Sequence, residues 1–501
     1  MKNALELCLV VLCLCAVSAG ALVYVSHSGW TLYYGDAEAH LNIARRIVDS
    51  RTPGYDQLGT SWLPLPHLLM LALVSDDRLW RSGLAGAIPS AVCFVFAGAF
   101  LFAAVRRAAQ SSAVAVAAVG VLALNPNVLY LQATPMTEPV YLAALMALFY
   151  CTILFRETQS FGALIGAGLA GTAATLARYE GWFLIPFVTL YFLFAARRRK
   201  LVVALIFGAL ASLGPLYWLA HNWWLYSNPL EFYNGPYSAQ AIYRTTGTYP
   251  GDHDWLKAWL FYRTMTTMFT GWGVLIVAAV GLLGALWKRL FWPLAFALLT
   301  PAFYLWSMHS GGTPVFVPQL WFGSYYNTRY GITALPLLAM AAASLVLFAG
   351  KRWRPVVAAA VIAVGVAPWL FRPQPDDWVC WKESKINSDQ RRAWTHEAAD
   401  LLHDQYRRGT GIYSSFGDLA GIYREAGIPF REVLHDGNEP AWMAATARPD
   451  LFLNEEWAVA ISGDPVATAV QKATFKNGPR YSLVRRIMLK GAPVIEIYKR
   501  D

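Results

Sequence analysis

The stretch SGLAGAIPSAVCFVFAGAFLFAAVRR, residues 82–107, sets the reading of the whole chain. No charged side chain interrupts it from Leu84 to Val105, and two arginines, Arg106 and Arg107, close it. A helix rises about 1.5 Å per residue, so a run of about 20 mainly apolar residues reaches across the hydrocarbon of a bilayer. Comparable runs recur near 4–25, 113–132, 138–155, 161–177, 181–196, 201–220, 273–287, 290–308, 331–350 and 355–371. With 82–105 they make about eleven expected spans. The expected fold is therefore a polytopic α-helical membrane domain over 1–371 and a soluble domain over 372–501.

Composition agrees. Of 501 residues 56% are hydrophobic and 14% charged, where a soluble domain carries about a quarter charged. The net charge of +10 does not mark a nucleic-acid binder, because Lys and Arg sit in short clusters between apolar runs. Arg106-Arg107, Arg197-Arg198-Arg199-Lys200, Lys288-Arg289 and Lys351-Arg352-Trp353-Arg354 are such clusters. They hold the inner loops of a spanning protein in the cytoplasm.

Connections of two kinds alternate. Those at 106–112, 156–160, 197–200, 288–289 and 351–354 are short and basic. Those at 26–81, 133–137, 178–180, 221–272 and 309–330 are long or motif-rich. The positive-inside bias places the second set outside. An odd number of spans then puts 372–501 outside and the N-terminus inside. Met1-Lys2 and Ala16-Val17-Ser18-Ala19 resemble a secretory signal, but the apolar run continues to Val25 and favours a retained span. Five of six cysteines lie in apolar runs and only Cys380 in the polar part, so no disulfide framework is available there.

The outer connections carry the chemistry. The first, 26–81, contains Gly35-Asp36-Ala37-Glu38-Ala39-His40, and residues 39, 43 and 47 recur at helical spacing. A helix along the membrane surface is expected there, with Ile43 and Ile47 facing the lipid. Asp36 and His40 share a face and Glu38 points away, so the two acids serve one site only if Asp36 belongs to the loop before the helix. As an alternative, Asp36 is an N-cap. A second short helix is expected after Trp62, running to Val74 and too short to span.

The next outer turn places Glu138 where one span gives way to another, and a carboxylate at that depth is a functional candidate. Glu138 as a solvated turn acid is the plainer reading. Arg178, Tyr179 and Glu180 form the third turn, with Arg178 and Glu180 either paired to each other or touching substrate. Tyr326, Arg329 and Tyr330 precede a late span, where an arginine between tyrosines suits a phosphate or snorkels to the interface. The loop 221–272 adds His221, Asp252, His253 and Asp254 among aromatics.

An acidic first loop, two surface helices, a second acid at the next outer turn, about eleven spans and a soluble tail together resemble the GT-C superfamily. These are membrane glycosyltransferases using polyprenyl-phosphate-linked sugars, among them protein O-mannosyltransferases, aminoarabinose transferases and oligosaccharyltransferase catalytic subunits. The resemblance covers residues 1–370. It implies Asp36 as the catalytic carboxylate and general base, Glu38 and Glu138 as further catalytic acids, and Arg329 as a phosphate-binding cation. His40, Arg178, Tyr179, Glu180, Tyr326 and Tyr330 would line the substrate. The implied partners are the bilayer, a polyprenyl-phosphate sugar and a glycan, lipid or protein acceptor, with no nucleic acid. The resemblance leaves open a divalent metal between Asp36 and Glu138, where oxygen ligands would suit Mg²⁺ or Mn²⁺. The implied setting is a bacterial or archaeal cell membrane.

The tail, 372–501, alternates short strand-like runs (411–416, 430–434, 493–498) with helical ones (418–426, 464–474), an α/β or α+β pattern. It holds no nucleophile–base constellation, and its expected role is to bind acceptor or glycan or to roof the site. The main rival reading is a multi-span transporter or lipid-linked-glycan flippase. Its marks are ionisable residues within spans and helices broken at mid-membrane.

Overall fold

The computed structural model describes residues 2–236, 238, 240, 241, 249–476 and 478–501. Residues 242–248 of the loop expected over 221–272 lie outside the described residues. The chain divides into two compact units. The first comprises Met1–Ser28, Thr60–Pro66 and Ala87–Glu383; the second comprises Gly29–Gly59, His67–Gly86 and Ser384–Asp501. The first outer loop, read from sequence as part of the membrane domain, thus clusters mostly with the tail.

The first unit is helical and integral to the membrane. Among the described residues seven helices are long and apolar enough to cross a bilayer: Ala4–His27, Leu84–Ala109, Glu138–Thr158, Lys200–Tyr226, Phe291–His309, Thr328–Phe348 and Arg354–Phe371. Two bent pairs raise the number to nine if each counts as one span. Phe161–Ala177 and Glu180–Ala195, expected as spans, are helices of 17 and 16 residues, short of the roughly 20 that a straight crossing needs. By length and composition the described residues hold seven span candidates, or up to nine with the bent pairs, against an expectation of about eleven.

The bends have local causes. Ser112–Ala123 and Pro126–Gln132 meet at 68°. Pro126 has no N–H to continue the helix and pushes Asn125 into extended backbone. Asn125 then caps the new helix, its side chain accepting from the N–H groups of Asn127 and Val128 at 2.9 and 3.4 Å. Trp255–Thr270 and Trp272–Trp287 meet at 105°, at Gly271 with φ +82°. The two breaks are tied together: Asn125 and Asn127 both donate to the carbonyl of Phe269, at 2.9 and 3.1 Å.

The second unit is a five-stranded mixed sheet with helices. Its strands are β1 (Ile412–Ser414), β2 (Val433–Leu434), β3 (Trp457–Ile461), β4 (Tyr481–Ile487) and β5 (Ile495–Arg500), in the order β2-β1-β3-β5-β4. β1 pairs in parallel with β2 and β3, while β5 pairs antiparallel with β3 and β4. The first-loop helix Gly35–Val48 belongs to this unit. Leu41 and Ala44 are buried in one core with Trp80, Trp394, Ile422 and Phe430. The expected surface helix with Ile43 and Ile47 on the lipid is therefore a packed helix. Its Arg45 is buried too, paired with Asp49 at 2.8 Å and Asp77 at 2.7 Å, an arrangement that a helix floating in headgroups does not need.

Candidate active site

In the first unit, two helix starts, one helix end and one helical turn converge on a buried ionic network. Glu138 opens Glu138–Thr158, with Pro139 supplying the backbone angle of a first turn. Arg178 closes Phe161–Ala177, and Glu180 opens the next helix. Arg178 donates through Nε to Glu180 Oε1 at 2.6 Å. Its Nη1 donates to Glu138 Oε1 at 3.1 Å and to Thr137 Oγ1 at 2.6 Å, and its Nη2 to the Tyr304 hydroxyl at 2.8 Å. That hydroxyl in turn donates to Glu180.

Arg329, in the turn Thr328–Thr333, closes the network from the other side. Its Nε meets Glu138 Oε1 at 3.1 Å and its Nη1 meets Glu383 Oε1 at 3.3 Å. Glu383 also accepts the backbone N–H groups of Asn327 and Thr328, at 3.1 and 2.6 Å, and the Thr328 hydroxyl. The Tyr330 ring lies about 5 Å from both guanidinium carbons, at 5.1 and 5.0 Å, within cation–π reach.

The network joins the carboxyl groups of Glu138, Glu180 and Glu383 to the guanidiniums of Arg178 and Arg329. Glu138 Oε2 is buried with no hydrogen-bond partner among the described residues. Glu138, Tyr141, Thr300, Tyr304, Tyr330 and Thr333 line a cavity of about 10 Å³, room for a single water. Removing either arginine would strand a buried carboxylate, the expensive case for an ion pair.

The second unit holds the first-loop acids. Gly35–Val48 begins a residue before Asp36, and Tyr34 stands at the cap position. Asp36 is therefore inside the first turn and is not the N-cap. Two residues along a helix turn roughly 200°, so Asp36 and Glu38 face apart and the condition for their sharing one site is not met.

Glu38 is buried and clasped. Arg424 donates to its Oε1 through Nε at 3.1 Å and Nη2 at 2.9 Å, and Arg391 Nη2 stands 3.6 Å from Oε2. Burial alone pushes Glu38 upward, but the guanidiniums of Arg424 and Arg391 outweigh it and hold its carboxyl below the ordinary glutamate range. Asp36 is half-buried. His40 is buried against His67, with Nδ1 and Nε2 3.0 Å apart.

The structure thus brings Glu138, Arg178, Glu180, Arg329 and Tyr330 together in one unit, and places Asp36, Glu38 and His40 on one helix of the other. Tyr179 flanks the network: its hydroxyl donates to the Ser61 carbonyl at 3.1 Å and its ring stacks on Phe232. Tyr326 pairs through its backbone with Phe316. Tyr304, Glu383, Arg424 and Arg391 were not anticipated. Tyr304 has the one usable signal, a hydroxyl within an apolar span. Among the described residues no three His, Cys, Asp or Glu side chains group to hold a metal ion, and Glu138 Oε1 faces two guanidiniums.

The order of spans and the acidic turn at Glu138, joined to a unit built on a mixed sheet, define a fold class: the chain has the GT-C fold, the fold of the GT-C membrane glycosyltransferases. The family model for dolichyl-phosphate-mannose-protein mannosyltransferases matches residues 69–224. Among solved structures, ArnT from Cupriavidus metallidurans bound to undecaprenyl phosphate is similar over 95% of this chain and 97% of its own, with TM-score 0.54 and 12% identity. The apo state of the same protein gives TM-score 0.51 over the same shares at 12% identity. The Archaeoglobus fulgidus oligosaccharyltransferase in the apo form gives 0.49, over 91% of this chain and 69% of that one, at 13% identity. No curated protein matches the sequence.

Proposed function

We propose that this protein transfers a sugar from a polyprenyl-phosphate donor to an acceptor on the outer face of the membrane, with inversion, and that Asp36 is the general base. The observation that carries the reading is how the first-loop helix divides its two acids. Glu38 is held anionic by Arg424 and Arg391 and anchors the helix, which leaves Asp36 as the proton acceptor of the pair. In the reaction Asp36 takes the proton of the acceptor hydroxyl or amine as its oxygen or nitrogen bonds to the anomeric carbon. The bond from that carbon to the phosphate oxygen breaks, and its electron pair leaves with the polyprenyl phosphate. Arg178 and Arg329 would meet that growing charge by giving up part of their hold on Glu138, Glu180 and Glu383. The full-length likeness to an ArnT crystallised with undecaprenyl phosphate supports the donor class.

The test is sugar release from polyprenyl-phosphate sugars by the purified full chain, wild type against Asp36→Asn. A fall of about 10²–10⁴ in rate is expected for the loss of a general base. One observation favours the transport reading: two spans are broken. If the wild type transfers no sugar and reconstituted vesicles instead move a solute, transport replaces transfer.

A further inference from the structure

The loop between helix Phe291–His309 and the turn Thr328–Thr333 is a rigid aromatic finger. From Ser310 to Thr328 it contains no Asp, Glu, Lys, Arg or His. Its base is fixed. Phe316 and Tyr326 exchange backbone hydrogen bonds of 3.0 and 3.1 Å, and Asn327 donates from its side chain to the Pro314 carbonyl at 2.8 Å. Val315 and Val317 are fully buried in a core with Phe261, Met265 and Met308. The tip turns back on itself, with Leu320 and Trp321 N–H groups donating to the Val317 carbonyl and Gly323 at φ +73°. The Trp321 ring packs edge-on against Phe316 at 5.5 Å. Yet Phe322 is 100% exposed and Trp321 50% exposed.

A braced tip that presents two large rings is costly in water: each ring withholds apolar area that burial would favour. A loop whose ends are the ends of two apolar helices long enough to span starts and finishes at the membrane boundary. Neutral aromatic side chains settle there, at headgroup depth, where lysine and arginine would be drawn toward water or anionic lipid. We propose that the Trp321–Phe322 tip inserts into the bilayer's interfacial layer and anchors this loop to lipid. The finger runs directly into Asn327 and Thr328, whose N–H groups hold Glu383, so the anchor fixes the segment that carries Arg329.

The experiment uses the full chain with Phe322→Cys in phosphatidylcholine vesicles, labelled with an environment-sensitive fluorophore and corrected for label taken up by the parent protein. Quenchers are lipids spin-labelled at the headgroup or upper chain, and aqueous iodide. Phe322 touches no core, so the variant folds. The expected result is emission roughly halved by the spin-labelled lipids and little changed by iodide, the behaviour of a group at interfacial depth. Quenching by iodide alone would overturn the proposal, since the tip would then stand in water. Protection from both would also overturn it and make the occupant a protein surface.

Discussion

Replacing Arg424 with alanine tests the reading of Glu38 directly. In the folded protein both partners are almost fully buried, each 7% exposed, and the two bonds of 2.9 and 3.1 Å supply most of the carboxylate's compensation. Arg391, at 3.6 Å, is too distant to replace them. Removing one member of such a pair costs about 3–5 kcal/mol, because the other charge is left buried. For a unit of this size each kcal/mol moves the melting midpoint by about 2–4 °C, so a fall of roughly 6–20 °C is expected in the transition of the second unit.

The pH dependence fixes the cause. In the wild type the folded-state value of Glu38 is depressed, so its contribution is present above the ordinary glutamate range and lost as pH falls through the folded-state value. In the variant, burial dominates and favours the protonated acid. Acidification then relieves the variant while it weakens the wild type. The gap between the two melting curves is expected to be widest at neutral pH and to narrow toward about pH 4, near the ordinary glutamate value. Melting measured by intrinsic fluorescence across that range decides it. Equal midpoints at neutral pH, or a gap that widens on acidification, would refute the reasoning.

Two further outcomes follow from the same geometry. Gly421→Ala would place a Cβ 2.7 Å from Glu38 Oε1, so a change that ordinarily favours a helix should cost about 1–3 kcal/mol through overpacking; a raised midpoint would contradict it. Arg329→Gln would leave Glu138 with the Arg178 contact and remove the guanidinium 3.3 Å from Glu383. A loss of about 3–5 kcal/mol is expected, read as a smaller monodisperse fraction after heating in detergent.

The spans were legible because apolar length is a one-dimensional signal. At Phe161–Ala177 and Glu180–Ala195, expected as spans, the structure has apolar helices of 17 and 16 residues. The break at Asn125-Pro126 was written in residues that stop helices, but a window average smooths over it; Trp255–Thr270, expected within the loop over 221–272, is a helix. In the tail, β1, β2 and β5 fell on the strand-like runs. β4 did not, because Tyr481–Ile487 is largely exposed and carries Arg485 and Arg486, the charges an edge strand tolerates. β3 is five short residues, Trp457–Ile461, fully apolar and too brief for periodicity to distinguish it from a buried helical turn. The candidate site was half legible. Glu138, Arg178, Glu180 and Arg329 announce themselves as charges beside apolar runs, whereas Glu383 and Arg424 lie in polar sequence where a charge carries no surprise.

The unexpected partners also account for the tail. A helix of 14 residues such as Gly35–Val48 is marginal by itself in water. It buries Leu41 and Ala44 against Trp394 and Ile422, and its first turn is fastened by Arg424 and Arg391 through Glu38. Its last turn is fastened as well: Asp49 accepts the Phe430 N–H at 3.1 Å and pairs with Arg431 at 3.1 Å. All of these contacts come from sequence more than 300 residues downstream. The tail thus supplies the core on which the helix bearing Asp36 folds. A spacing of one residue between two acids, ambiguous in sequence, then acquires a mechanical sense: one acid ties the helix to that core, and its neighbour faces away from the tie.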